Sequence, residues 1–223
     1  MLAKLINYDR GMNMRNLTVD KFLEELSSKA PVPGGGGASA MVGAAGCSLG
    51  SMVGNLTLGK KKYADVEEDI KVLIDKSEKL KEELLVLINE DAKAFEPLSK
   101  AYGLPKETPE EIAYKEKIME EALYAASIVP LDIMRKIYEM IVLHEEYKNK
   151  GSRLAISDVA VGVIFCKSAL LGASMNVFIN TKSMKNRETA EKLNSEADKL
   201  IADGSKLADE IFNEIAASFR INQ

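Results

Sequence analysis

The chain has 223 residues, of which 46% are hydrophobic and 29% are charged, a mixture typical of soluble globular proteins and not of disordered or fibrous ones. Its 30 basic and 34 acidic side chains leave a net charge of −4, which excludes a global attraction to nucleic acid or to an anionic membrane. Two isolated cysteines, Cys47 and Cys166, argue against a disulfide framework and a zinc knuckle. We therefore expect a cytoplasmic protein that binds neither nucleic acid nor membrane.

The first residues lack the apolar core and cleavage site of a signal peptide. Residues 1–16 are expected to form a flexible leader, and residues 17–223 a single all-helical domain. Only 6 prolines and 15 glycines interrupt the chain, so long stretches can remain helical.

Helices are predicted in chain order from the spacing of apolar residues and from capping signals. The first covers about 18–29 and is stopped by the loop at 31–37, and the second covers about 38–58. A long amphipathic helix follows at 64–96. The capping box of Thr108, Pro109 and Glu111 begins a helix that Pro130 should end or kink, and another then runs to about 148. The last two cover 158–180 and 187–219, the final one capped by Asn186.

Two of these helices are almost free of charge. Residues 30–59 contain no Asp, Glu, Lys, Arg or His, a length sufficient to cross a bilayer, but their many small and polar residues favour a buried helix of a soluble protein. Gly46, Gly50 and Gly54 step by four and leave one helical face without side chains, where another backbone can approach. The helix at 158–180 is its expected partner. The pattern thus predicts an all-α, multihelical bundle of long amphipathic helices around two Gly/Ala-rich buried helices.

Several residues are candidates for a binding site, each with a simpler structural explanation. The glycine loop, which consists of Gly34, Gly35, Gly36 and Gly37, feeds a helix N-terminus that favours an anionic or carbonyl-bearing ligand, yet it could equally be a mobile helix start. Lys60 and Lys61 follow the second helix, where cations complement the helix dipole or attract a carboxylate tail. Asn176 and Asn180 share one face of an apolar helix, where buried amides need hydrogen-bond partners.

Two carboxylates are candidates for acid–base chemistry. Asp91 lies near the end of the long helix, where most acids are solvated. Ser157 and Asp158 stand at the head of an apolar helix, where they either cap it or supply a tuned proton-transfer group. His144, the only histidine, falls in a charged stretch typical of a solvated helix end, so a catalytic triad and a histidine-based metal site are both disfavoured. No metal is expected.

Ordered segments of the chain resemble the cyclodeaminase/cyclohydrolase family, which includes the cyclodeaminase half of formiminotransferase-cyclodeaminase and stand-alone methenyltetrahydrofolate cyclohydrolases. The resemblance covers residues 17 to about 182 and rests on these segments: FLEELSSKAPVPGGGGASA, LGSMVGNLTLGKKKY, DAKAF with LPKETPEE, VPLDIM, SDVAVG and NVFIN. Gly37 stands where relatives often have serine, and Ser152 where asparagine is usual.

The resemblance implies an all-α homodimer that acts on the one-carbon unit held at N5 and N10 of tetrahydrofolate. It implies a reduced folate substrate, in polyglutamated form where a tail site exists, and no cofactor beyond that substrate. We expect a methenyltetrahydrofolate cyclohydrolase, with formiminotetrahydrofolate cyclodeaminase as the alternative and a non-catalytic folate-binding scaffold as a third. No formiminotransferase half is present in these residues, which favours the hydrolase.

The family pattern also implies roles for the candidate residues. The glycine loop is expected to approach the pterin, and Lys60 and Lys61 to attract the glutamate tail. Asp158 is expected to face the glycine loop as the general acid or base, with Asp91 as the second candidate. Asn176 and Asn180 are the candidates for holding a water molecule.

Overall fold

A computed structural model describes residues 13–220 of the chain. Six α-helices account for most of this part: α1 Val19–Leu26, α2 Gly35–Asn55, α3 Glu67–Tyr102, α4 Pro109–Lys150, α5 Ile156–Thr181 and α6 Arg187–Arg220. Short 3₁₀ turns lie at Met14–Asn16, Lys61–Val66 and Arg153–Ala155. No strand occurs between residues 13 and 220. The predicted all-α class is confirmed.

The helices α2 and α5, which carry almost no charge, form the centre of the bundle. α2 packs against α3, α4 and α5, and α5 packs against α2, α4 and α6. Their relative direction follows from two contacts: Gly35 lies against Asn176, and Gly46 lies against Cys166. Because residue numbers rise on one helix as they fall on the other, α2 and α5 are antiparallel.

The glycine face of α2 contacts three neighbouring helices. A Cβ on Gly46 would lie 3.1 Å from the Gly162 carbonyl oxygen of α5, so the predicted close approach of these two helices is confirmed. Gly50 instead faces Met140 of α4, and Gly54 faces Ile74 of α3. The small residues therefore let three helices surround α2, and not α5 alone.

Pro130 was predicted to end or kink its helix, and the predicted end is wrong. α4 is continuous from Pro109 to Lys150, and Pro130 is buried inside it. A proline removes one hydrogen bond of the helix, but packing against α3, α5 and α6 keeps the helical path. The predicted capping box at the start of α4 is confirmed, because Thr108 and Glu111 each bond the other's backbone N–H.

The surroundings of two further residues differ from the sequence predictions. Met14, which falls within the predicted flexible leader, is buried, and its N–H donates to Asn89 Oδ1 at 2.9 Å; residues 1–12 lie outside the described part. His144 is fully buried against Gly162 and not solvated. Burial lowers its pKa to about 4, so it is neutral at neutral pH. Its neighbours in sequence are charged, so the sequence pattern did not indicate that this side of α4 faces the core.

The segment Arg153–Thr181, which includes α5, is long and apolar enough to cross a membrane by length and composition. Half of its most apolar window is packed inside the bundle, as is common for the core helix of a soluble protein. Among the other residues, Val161, Phe165, Leu171, Met175 and Ile179 are exposed.

Candidate active site

The glycine loop is docked onto a carboxylate of α3. Gly34 is the N-cap of α2, and the Gly37 N–H donates to Asp91 Oδ2 at 3.0 Å. A Cβ on Gly36 would overlap the Asp91 carboxylate, so only glycine lets the acid come this close to the helix N-terminus. The predicted loop and the second-choice carboxylate therefore belong to one site.

Asp91 has an altered proton affinity in this position. Burial raises its pKa from 3.8 to about 6, and the hydrogen bond from the Gly37 N–H only partly opposes the shift. A carboxyl group that titrates near neutral pH can both take up and release a proton under physiological conditions. This property separates Asp91 from an ordinary solvated acid.

Two amides of α5 complete the polar part of the site. Asn176 packs 3.3 Å from the position of a Cβ on Gly35, and its Nδ2 donates to the Gly172 carbonyl oxygen at 3.1 Å. Asn180 Nδ2 donates to the Ala126 carbonyl oxygen of α4 at 2.8 Å. Within residues 13–220 neither amide oxygen receives a hydrogen bond, so both remain as acceptors.

These groups line a cleft of about 130 Å³ between α2, α3, α4 and α5. Its lining residues are Pro31, Val32, Gly34, Gly35, Asp91, Phe95, Ala126, Asn176, Ile179 and Asn180. Phe95 and Ile179 were not among the sequence candidates, and both supply apolar wall. Phe95 follows Asp91 by one helical turn, a spacing that places both side chains on one face. This spacing was the sequence signal from which Phe95 could have been predicted to line the site.

The remaining candidates lie at the other end of α2 and α5. Lys60 Nζ donates to Ser152 Oγ at 3.1 Å, and the Arg153 N–H donates to the Tyr63 hydroxyl at 3.0 Å. The sequence just after α2 is thereby joined to the start of α5. Lys60, Lys61, Lys62 and Arg153 concentrate positive charge there.

Asp158 lies at this lysine end and not beside the glycine loop, so the expectation that it faces the loop is wrong within one chain. It precedes Asn176 by 18 residues on α5, which corresponds to about 27 Å at 1.5 Å per residue. The capping role is also wrong for Ser157 and Asp158: Ala155 is the N-cap of α5, and no side chain caps it. Ser157 is exposed and Asp158 is partly buried.

A larger cleft, of about 400 Å³, lies beside the start of α4. Most of its charged groups already pair with the protein: Lys185 with Glu116, Glu120 with two backbone N–H groups and Lys115 with two carbonyl oxygens. Across residues 13–220, no group of three or more His, Cys, Asp or Glu side chains is arranged to hold a metal ion.

The fold and the cleft define a class: an all-helical protein with a carboxylate–amide site at the N-terminus of a glycine-rich helix. The profile of a family described as Formiminotransferase-cyclodeaminase matches residues 18–199. A methenyltetrahydrofolate cyclohydrolase of Methylorubrum extorquens is 43% identical over 200 residues, which cover 90% of this chain and 96% of that protein. The chain belongs to the formiminotransferase-cyclodeaminase family.

Two further relatives extend the comparison. The formimidoyltransferase-cyclodeaminase of Mus musculus is 29% identical to this chain over 196 residues. The matched region covers 88% of this chain but only 36% of the mouse protein. The crystal structure of formiminotetrahydrofolate cyclodeaminase from Thermotoga maritima matches with a TM-score of 0.76 and 27% identity, over 90% of this chain and 98% of that one.

Proposed function

We propose that the protein is a methenyltetrahydrofolate cyclohydrolase that hydrolyses the one-carbon bridge of 5,10-methenyltetrahydrofolate to 10-formyltetrahydrofolate. The likeness to the Methylorubrum extorquens enzyme over nearly the whole of both chains supports the substrate class. The observation that carries the chemistry is Asp91, a partly buried carboxylate with a pKa raised to about 6 in a cleft that also presents two amide oxygens.

The reaction adds water to the amidinium carbon between N5 and N10 and then breaks the bond from that carbon to N5. In our proposal the ionised Asp91 accepts a proton from the attacking water and returns it to N5 as the ring opens. The remaining hydroxyl proton of the tetrahedral intermediate leaves as the formyl C=O forms, so one proton is released overall. A group with a pKa near the working pH serves both steps. The oxygens of Asn176 and Asn180 orient the water by accepting hydrogen bonds, and the glycine loop and Phe95 contact the pterin.

The alternative activity, formiminotetrahydrofolate cyclodeaminase, is supported by the Thermotoga maritima structure and by the mouse relative. The deaminase also needs proton transfer at the same carbon, because ring closure by N10 must release ammonia. The same Asp91 would serve it. The two activities differ in the compound supplied and not in the groups required.

Purified protein given each folate separately tests the proposal. Loss of methenyl absorbance above the spontaneous rate supports the hydrolase, and ammonia release from the 5-formimino compound supports the deaminase. Tight binding of a reduced folate without turnover of either compound would identify a scaffold and refute both enzymes. Asp91→Asn is the matched control, since it should abolish whichever turnover is present.

We further propose that the protein is a cytoplasmic homodimer. The exposed stripes of α2 and α5, here called the α2–α5 face, carry these large apolar side chains: Met52, Val161, Phe165, Met175 and Ile179. Met175 and Ile179 are 63% and 62% exposed. Monomeric soluble proteins rarely expose a continuous apolar surface of this kind, and a second copy with the same face would cover it.

The two ends of this face suggest how the copies align. Ser168 is exposed midway along α5; Asp158 lies about 15 Å before it, and Asn176 and Asn180 lie about 12 and 18 Å after it. A two-fold axis level with Ser168 would bring Asp158 of one copy level with Asn176 and Asn180 of the other. We propose that each active site combines the Asp91 end of one chain with the lysine end of its partner, and that the partner's Asp158 takes up the hydroxyl proton released from the tetrahedral intermediate.

This arrangement gives Lys60 and Lys61 a role that one chain alone does not. Within one chain they lie beyond the far end of α2 from Asp91, about 27 Å along that helix, whereas across the two-fold axis they would lie beside Asp91 and attract the glutamate tail. Replacing both lysines with Ala should weaken binding of a polyglutamated folate more than of the monoglutamate, most clearly at low salt. Equal weakening of both ligands would refute the tail-binding role.

A further inference from the structure

Pro130 leaves one backbone carbonyl of α4 without its helical donor. In an α-helix the N–H of residue 130 would donate to the carbonyl oxygen of residue 126. Proline has no N–H, yet α4 continues through this position. The carbonyl of Ala126 therefore needs a donor from elsewhere, because buried backbone carbonyls are almost always hydrogen-bonded.

Asn180 of α5 supplies that donor. Its Nδ2 lies 2.8 Å from the Ala126 carbonyl oxygen, and both residues line the cleft that contains Asp91. A carbonyl oxygen can only accept a hydrogen bond, so the nitrogen side of the carboxamide must face Ala126. The oxygen side must then point away from α4.

We propose that Pro130 is a positioning residue that fixes the polarity of the Asn180 amide, so that Oδ1 is presented as an acceptor beside Asp91. The inference rests on the proposed function only for the identity of the group whose hydrogen bond Oδ1 accepts, which is the attacking water or a substrate N–H. Its structural part holds for any ligand. The contact links two of the sequence segments, VPLDIM and NVFIN. Pro130 and Asn180, which belong to these segments, lie 50 residues apart in sequence.

Replacing the proline tests this directly. In Pro130→Ala the new N–H competes for the Ala126 carbonyl, so Asn180 loses its anchor and its amide can rotate. We expect kcat/KM for the methenyl compound to fall about tenfold. The circular dichroism spectrum should be unchanged and Tm should not fall substantially, because alanine favours the helix interior over proline.

The matched control is Pro97→Ala in α3, the other proline inside a long helix of the described part. Pro97 is exposed, and among residues 13–220 no side chain donates to the carbonyl of Lys93, the residue four before it. This variant should keep the wild-type kcat/KM. An equal loss of activity in both variants would overturn the positioning role and indicate a general effect of helical prolines.

A double-mutant cycle separates positioning from packing. If Pro130 acts through Asn180, adding Pro130→Ala to Asn180→Ala should cause no further loss. Additive losses would overturn the proposal.

The side-chain amide of Asn180 gives a readout that needs no turnover. In protein labelled with ¹⁵N-asparagine, its NH₂ signal, assigned by its absence from Asn180→Ala, should show slow hydrogen exchange in the wild type and lose that protection in Pro130→Ala. An unchanged signal would overturn the proposal. Absence of folate turnover in the wild type would refute the proposed function while this measurement still decides the role of Pro130.

Discussion

Asp91 shows how a single carboxylate acquires a catalytic environment from its neighbours. Its side chain is held by one backbone N–H at the start of α2 and by the space that Gly36 leaves. Among residues 13–220 of a single chain no cation offsets the burial: the shift in pKa results from burial and is opposed only by the Gly37 N–H. Asp91 is therefore a weaker acid than a fully solvated carboxyl group, which would stay ionised at the same pH.

The first prediction concerns Asp91→Asn. The amide cannot exchange the proton, so turnover should fall about a hundredfold or more, and the rise of the wild-type kcat/KM with pH through about 6 should disappear. A variant with near-normal turnover would remove Asp91 from the mechanism.

The same substitution should stabilise the protein at neutral pH. Folding raises the pKa of Asp91 from 3.8 to about 6, so the folded state holds a proton that the unfolded chain releases between these values. The resulting stabilisation is complete below pH 3.8 and is lost as the pH rises through about 6. Urea unfolding should show Asp91→Asn gaining on the wild type between pH 4 and 7.5, by at most about 3 kcal/mol. A pH-independent difference would contradict the assigned pKa.

The second prediction concerns the glycine that faces the carboxylate. Gly36→Ala places a methyl group against the Asp91 side chain, so the carboxylate must move away from the Gly37 N–H. We expect at least a tenfold loss of kcat/KM with the fold retained. Gly103→Ala, at the end of α3, meets no atom closer than 3.5 Å and should leave activity unchanged. Equal effects of the two changes would show that the Gly36 contact is not required.

At the scale of elements, the sequence predicts individual helices better than their ends or their partners. The amphipathic periodicity of α3 and α6 and the capping box of α4 are local signals, and those helices form. The predicted end of a helix at Pro130 was wrong, because the packing of α4 on three sides outweighs one missing hydrogen bond. The burial of His144 was missed because its neighbours in sequence are charged, whereas the inward side of the helix is set by α2 and α5.

The third prediction tests the packing of α2. A Cβ on Gly46 meets Cys166 Sγ and the rigid backbone of Gly162, whereas a Cβ on Gly50 meets the flexible end of Met140 first. Gly46→Ala should therefore lower the free energy of unfolding by about 2–3 kcal/mol, more than Gly50→Ala does. Guanidinium unfolding measures both. A larger loss for Gly50→Ala would mean that α4, and not α5, sets the tightest contact of α2.

At the scale of the whole molecule, the candidate site was only partly predictable. The glycine loop, Asp91, Asn176 and Asn180 were all recognisable as polar or small residues in apolar surroundings, and the fold brings them together. The antiparallel packing of α2 and α5 places Asp158 and Lys60 at the opposite end, which no local pattern of residues reveals. In the proposed dimer, a second copy related by a two-fold axis would bring these residues back beside the glycine loop.

The most direct test of this account is a mixed dimer of Asp91→Asn with Asp158→Asn, obtained by co-expressing the two chains with different affinity tags. Each parent homodimer should have at most about one hundredth of the wild-type turnover of methenyltetrahydrofolate. The mixed dimer contains one site with both carboxylates and one with neither, so it should recover about half of the wild-type activity per dimer. A mixed dimer that stays as inactive as its parents, or a wild-type protein that light scattering shows to be monomeric while it turns over folate, would contradict the shared site.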